Sequence, residues 1–346
     1  MNHREPYRFE NQPSSFTLEE EFVIDFERAD LAELGMGAVR GFDVDLEGNI
    51  FCLSESKIYK FDAQGGFLKG FGTQGQGPGE YARPGSGRIT ASQEIALYDG
   101  GNKKFLLYDT QGAFIKEIKD TSNIQLFGGS AALYLDGNAY LIEEMIMDPQ
   151  EDKFESRLAV LDAGFQKIAE LRERTFKENP FQSNRYNMFD AYNRYVIAGN
   201  RIYAASQSNQ DFAINVYDFS GRHIRSIRKE YIPVPISEEF KQETWKAYSN
   251  SSISELLKSK GYFQKYFPPI KNFYVDEKGR ILLETYLEGP DPGEEMLDIF
   301  NSEGAYIGRR SLNKAMARRF CRRRMYAVFE KDSGFQKLAV YKLSWD

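Results

Sequence analysis

The chain has 346 residues, 41% of them apolar, with 27 Phe, 21 Tyr and a formal net charge of −6. A chain of that length and aromatic content can bury a large core, which excludes disorder as a whole. The acidic balance argues against a nucleic-acid binder, which needs a basic excess.

Two cysteines, Cys52 and Cys321, lie far apart and form no CxxC pair. A structural zinc site is therefore not expected, and two reduced buried thiols are the plain reading. The two histidines are His3, in a polar tail, and His223. No mechanism built on several ordered imidazoles fits. No apolar run reaches the roughly 18 residues that cross a bilayer. The first sixteen residues, MNHREPYRFENQPSSF, lack the apolar stretch of a signal peptide. They read as a polar tail over 1–16. The chain is thus either the mature form of an exported protein or, if Met1 is the natural start, a cytoplasmic one.

From residue 17 the sequence repeats. LEEEFVIDF, Leu18 to Phe26, has strand character. The clearest unit runs from Gly41 to Gly72. Phe42, Val44 and Leu46 alternate with polar partners, Glu47-Gly48-Asn49 is a turn, and strands follow over Ile50–Leu53, Ile58–Phe61 and Phe67–Phe71. Asp62-Ala-Gln-Gly65 puts Asp first and Gly late, which suits a tight reversal. The same turn returns at Asp109, Asp162, Asp218 and Asn301, at spacings of 47, 53, 56 and 83 residues. A four-stranded propeller blade takes roughly 40 to 50 residues, so the last interval must hold an insertion. A sixth unit, Arg323 to Trp345, stops after its third strand. Leu18–Phe26 can supply the fourth and close the ring, which removes the open sheet edges. The reading is an all-β, six-bladed β-propeller of four-stranded antiparallel blades over 17–346.

The insertion is predicted over 236–269. Ser237 can N-cap a helix with Glu238 and Glu239 in its first turn. Ser252 and Glu255 make a capping box for a second helix, which Gly261 can end. Phe240 shares a helix face with Thr244, Ala247 and Tyr248. Tyr262, Phe263, Tyr266 and Phe267 follow. These aromatics are expected to pack on the propeller, with a lid beside a binding face as the functional alternative.

Gly72-Thr-Gln-Gly75-Gln-Gly77-Pro78-Gly79-Glu80-Tyr81 resembles the inter-blade link of NHL-repeat proteins, and the chain as a whole is similar to NHL/TolB-like six-bladed propellers of bacteria. The resemblance implies this fold. It also implies an exported, periplasmic or cell-surface location, with a lipid anchor possible on the precursor.

Gly70-Phe-Gly72-Thr-Gln-Gly75 satisfies GxGxxG, but Gln76-Gly77-Pro78-Gly79 follows, which does not open a helix as a dinucleotide site requires. No GxSxG elbow or Walker lysine is present. Amidating lyases of similar shape hold a metal with histidines that this chain lacks. Related lactonases hold calcium with Asp, Asn and Glu, and no matching ligand set is evident. The hairpin residues Asp62, Asp109, Asp162, Asp218 and Asn301 are expected to be turn formers. Arg318, Arg319, Arg322, Arg323 and Arg324 form a basic cluster, read as a solvated strand edge balanced by Glu19-Glu20-Glu21, or else as an anion patch.

Ligands of propellers meet the central channel or its mouths. By register with Gly48, the ligand-binding candidates are Arg40, Arg88, Tyr192, Lys271 and Asn272, whose three cations suit an anionic group. The function expected is a non-catalytic binding or scaffold module for a protein or glycan ligand, without catalytic residues and without cofactor. The alternative is a metal-dependent hydrolase or lyase, with calcium or another divalent ion held by carboxylates in the channel.

Overall fold

The computed structural model describes residues 5–9, 13–54, 57–121, 132–135, 139–148, 153–176, 186–189, 194–206, 211–249 and 254–346. Six four-stranded antiparallel sheets make six blades of a β-propeller. The inner strands are Gly41–Val44, Pro84–Ile89, Ala132–Leu135, Tyr195–Ala198, Asn272–Val275 and Ala317–Cys321, in blades 1 to 6. The sixth sheet is completed by Phe16–Asp25, which pairs antiparallel with Gln336–Trp345 from Phe16 opposite Trp345 to Asp25 opposite Lys337. The N-terminal strand therefore closes the ring, as the truncated sixth repeat predicts.

The core lies between blades. Six apolar clusters are each shared by two adjacent sheets, and the series runs round the circle. Ile24, Val340 and Val328 of blade 6 pack with Ile50, Cys52 and Phe61 of blade 1. At the other side of blade 6, Phe320 and Met325 pack with Leu282 and Ile299 of blade 5. An alternating strand buries one face against each neighbour, so the ring needs apolar residues on both faces of its middle strands.

The recurrent Asp holds its turn. Asp62 Oδ1 accepts the N–H groups of Gln64 (2.9 Å) and Gly66 (2.8 Å). Asp162 and Asp218 repeat the pattern, Asp109 accepts from Ala113, and Asn301 accepts from Glu303 and Ala305. The inner hairpins use the same device. Asp45 accepts from Glu47 and Asn49, and Asp276 from Lys278 and Arg280. Asp45 therefore ends the first strand at Val44, and Leu46 lies in the loop, 67% exposed, rather than in the strand.

The Gly72–Tyr81 link is a tight loop that encloses an acid. Thr73–Gln74 pair in parallel with Glu80–Tyr81, and Glu80 Oε2 accepts the Gly77 N–H at 2.9 Å. A Cβ at Gly75 would lie 2.0 Å from that carboxylate, so a side chain there would push the Glu80 carboxylate out of the loop. No helix opens here, and the GxGxxG pattern is structural.

The insertion is helical over Glu238–Tyr248 and Ser254–Lys260. Ser237 Oγ accepts the Phe240 N–H at 3.1 Å, as a cap should. Ser252 lies outside the described residues. Phe240, Phe263 and Phe267 pack with Phe189 and with Tyr286 of blade 5, Phe267 stacking on Tyr286 at 4.2 Å. Among the described residues, none of the insertion lines the central cavity. Upstream of the closing strand, the Tyr7 N–H donates to the Tyr306 carbonyl of blade 5 at 2.8 Å. No helix among the described residues is long and apolar enough to cross a membrane.

Candidate functional site at the hairpin mouth of the channel

Each inner strand ends in a hairpin at the same mouth of the channel. The last paired residues are Asp45, Thr90, Leu135, Ala198, Asp276 and Cys321, closed by their partners Asn49, Glu94, Ala139, Arg201, Arg280 and Arg324. Strand side chains alternate, so the residue two before each end points the same way as that end. Those residues are Asp43, Arg88, Leu133, Val196, Tyr274 and Arg319. All six line a single cavity of about 910 Å³. Every blade thus contributes one side chain to one level of the channel. The ring is polar on blades 5, 6, 1 and 2 and apolar on blades 3 and 4.

The polar arc is wired through Asp43. Its Oδ1 pairs with Arg319 Nη2 at 2.8 Å, and its Oδ2 accepts the Ile89 N–H at 2.8 Å. One carboxylate therefore joins blades 6, 1 and 2. Arg88 reaches the other way, and its Nη1 donates to the Tyr134 carbonyl of blade 3 at 3.1 Å. The Tyr274 hydroxyl donates to Glu284 Oε1 at 2.8 Å and accepts from Asn272 Nδ2 at 3.0 Å. Burial first, and then the Glu284 charge, push the Tyr274 phenol far up, so it stays neutral.

Behind Tyr274 lies a closed ionic network. The Arg318 side chain has no exposed surface, and its Nη1 pairs with Glu284 and, at 2.8 Å, with Glu295 Oε1. Lys271 Nζ pairs with Glu295 Oε2. Burial pulls the Arg318 guanidinium down, but the charges of Glu284, Tyr274 and Glu295 outweigh it and hold it above its ordinary value. One enclosed guanidinium and two enclosed carboxylates sit together with the partly exposed Lys271, the arrangement under which buried charge is tolerated.

The mouth carries a different kind of arginine. Arg322 and Arg323 form the two-residue loop between Cys321 and Arg324, with φ of +58° and +56°. Two consecutive positive φ angles define the type I′ hairpin turn that favours Asn-Gly. A residue with a Cβ held there costs about 1–2 kcal/mol. The corresponding hairpins of blades 1, 4 and 5 place Gly48, Gly199 and Gly279 at positive φ instead. Both arginines are exposed. Arg322 also borders a shallower cavity of about 550 Å³ shared with Arg323, Arg324 and Gly48.

Of the candidates read from the sequence, Arg88 and Asn272 line the central cavity. Arg40 lies at the start of its strand and lines, with Arg88, a smaller cavity of about 250 Å³ between blades 1 and 2. Lys271 belongs to the buried network. Tyr192 lies outside the described residues. The four described candidates are not at one level. The reading of the arginine cluster as a solvated edge fails at Arg318, which is enclosed. Arg324 lies on an interior strand of its sheet and is partly buried, and there only the balance by the glutamate run is met, through a pair with Glu21 at 2.5 Å across the closure. Asp43, Tyr274, Leu133 and Val196 were not singled out. Counting back from the end of each inner strand, rather than from the turn glycine, would have found them. Both cysteines are free thiols. Among the described residues, no three His, Cys, Asp or Glu side chains gather to hold a metal ion.

The fold recurs in solved structures at low identity. A candidate exported protein from Bacteroides fragilis NCTC 9343 is similar at 15% identity and a TM-score of 0.58, covering 97% of each chain. A member of the DUF4221 family from Bacteroides vulgatus is similar at 13% identity and a TM-score of 0.59, covering 97% of this chain and 100% of that one. No curated protein matches the sequence. The DUF5128 family model, described as a 6-bladed beta-propeller, matches residues 45–278, more than half of the chain. The repeat, the ring closure and this match together place the chain in the DUF5128 family of six-bladed β-propellers.

Proposed function

We propose that the protein is a non-catalytic binding or scaffold propeller that takes a protein or glycan ligand at the hairpin mouth of its channel. The observation that carries this reading is the ring of six side chains, one per blade, at a single level of one cavity. A surface polar on one arc and apolar on the other suits recognition, since polar groups orient a ligand and apolar ones hold it. An exported location belongs to the same reading. It is supported by the Bacteroides fragilis neighbour and by the resemblance of the Gly72–Tyr81 link to NHL/TolB-like propellers. A lipid anchor on the precursor would fit that location.

A carboxylate-held divalent ion needs several donors in one place, and among the described residues no three His, Cys, Asp or Glu side chains gather. The channel carboxylates hold backbone N–H groups and arginines instead.

The test is a screen of glycans and peptides against the full chain and its Val196→Trp variant, which sets a bulky ring at the level of the six side chains, with metal content measured by elemental mass spectrometry. Expected are a ligand whose affinity drops at least about tenfold in the variant, or about 1.4 kcal/mol, and no stoichiometric metal. Turnover of an ester, lactone or phosphate that disappears on chelation would overturn this reading.

A further inference from the structure

We propose that the ligand is an acidic glycan and that Arg322 and Arg323 grip its carboxylate or sulfate groups. This rests on the channel-mouth reading and adds the chemistry of what is bound there.

The first ground is the conformation of the hairpin. Two left-handed residues in succession are the place for Asn-Gly, yet the loop carries two arginines. The contacts of the loop run through its backbone, where the Arg322 N–H donates to Glu277 Oε2 and the Arg323 carbonyl accepts the Leu343 N–H. Among the described residues, neither the Arg322 nor the Arg323 guanidinium makes an ion pair or a side-chain hydrogen bond. Side chains held where the backbone disfavours them, with no partner for their charge among the described residues, point outward.

The second ground is the contrast within the cluster. Arg318 is enclosed by Glu284 and Glu295, Arg319 pairs with Asp43, and Arg324 pairs with Glu21. Of the five, only the two loop arginines have no carboxylate partner among the described residues, and both are exposed. Acids stand beside them, with Glu47 bordering the same shallow cavity and Glu277 also exposed, but among the described residues neither pairs with a loop guanidinium. Asp45 and Asp276 hold the N–H groups of their own hairpins, and Glu277 Oε2 accepts the Arg322 N–H at 3.1 Å. The rim therefore presents guanidinium groups outward, the planar donors that match carboxylate and sulfate oxygens in pairs.

The third ground selects the class of anion. The whole chain carries −6, so a densely charged strand such as nucleic acid, which needs an extended basic track, gains little beyond this patch. A sugar polymer with one charge per residue or per disaccharide suits two adjacent arginines. Arg322 also lines the central cavity, where Tyr274 and Tyr195 offer aromatic faces and Asn272 an amide for sugar rings and hydroxyls.

The experiment is isothermal titration of the full chain with polygalacturonate, chondroitin sulfate and neutral galactan. The same titrations are made on Arg322→Asn/Arg323→Gly and on Val196→Trp. The Asn–Gly pair restores the favoured turn, so that variant is expected to melt about 2–4 °C higher. Loss of binding in it therefore is not loss of fold. Expected is binding of one or both acidic polymers, with the carboxylated and sulfated arms identifying the group, weakened at least about tenfold in the Asn–Gly variant and steeply salt-dependent. Affinity within twofold of the parent in that variant, or no binding of either acidic polymer, overturns the proposal. Galactan binding that falls only in Val196→Trp overturns the acidic glycan while leaving the channel reading intact. Acidic binding that falls in the Asn–Gly variant and is untouched by Val196→Trp upholds the arginine grip and removes the channel reading.

Discussion

Arg318 of blade 6 and Glu284 of blade 5 form an ion pair enclosed between two sheets, with Glu295 on the same guanidinium nitrogen. Their side chains are 0%, 5% and 2% exposed. Such a pair adds little over a well-packed apolar contact, but removing one partner leaves buried charge uncompensated. Arg318→Ala is expected to lower the unfolding free energy by about 3–5 kcal/mol at pH 7. Burial already raises the Glu284 carboxyl, against the lowering pull of Arg318. A carboxyl raised in the folded state contributes stability below its unfolded value, and that contribution is lost as pH rises through the folded one. Without Arg318 the carboxyl rises further. The deficit of the variant should therefore narrow as pH falls from 7 toward the ordinary glutamate range. Urea titrations at pH 7 and pH 5 check this. A deficit that widens on acidification would show that Glu284 is not what Arg318 neutralises.

Closure of the ring makes a second contrast, within one strand. Phe16 is fully buried and meets the rings of Trp345 at 5.1 Å and Phe320 at 6.3 Å. Val23, further along the same strand, is 38% exposed. Phe16→Ala should cost about 3–5 kcal/mol, and Val23→Ala less than about 1 kcal/mol. Denaturant midpoints for the two variants and the parent measure the difference. Equal and small effects would mean that the N-terminal strand does not seal blade 6 in solution.

The ring and its closure were legible because they rest on local chemistry. An Asp or Asn that folds its own turn recurs at Asp62, Asp109, Asp162, Asp218 and Asn301, and a spare first strand matches a truncated last unit. The level of the channel was not legible from the turn glycines, because the hairpins differ in length. Three residues separate Asp45 from Asn49, whereas two separate Cys321 from Arg324. Counting from Gly48 therefore reached Arg40, at the far end of its strand, while Asp43 and Arg319 share a level. The burial of Arg318 was within reach. Alternation over Ala317–Cys321 sets Arg318 with Phe320, one facing inward with the other, and Arg319 with Cys321. Its partners Glu284 and Glu295 carry no local signal, since only the packing of blade 5 on blade 6 brings them there.

Cys321 borders the central cavity, so its reactivity reports on the mouth. Burial pushes its thiol up to about 11, with the Arg319 charge pulling the other way, and burial pushes the Cys52 thiol higher still. The thiolate is the reactive form, and a thiol at that value is ionised at pH 8 roughly two orders of magnitude less than free cysteine. Native protein at pH 8 should therefore leave Cys52 unlabelled by an aromatic disulfide reagent and label Cys321 at about 1% of the free rate. Both should react at once in guanidinium. This inertness is also what would let two unpaired thiols persist in an oxidising compartment, where an accessible thiolate is drawn into disulfide exchange. Labelling of Cys321 at the rate of free cysteine would mean that the Arg322–Arg323 hairpin opens. The channel mouth would then have a second conformation for a ligand to select.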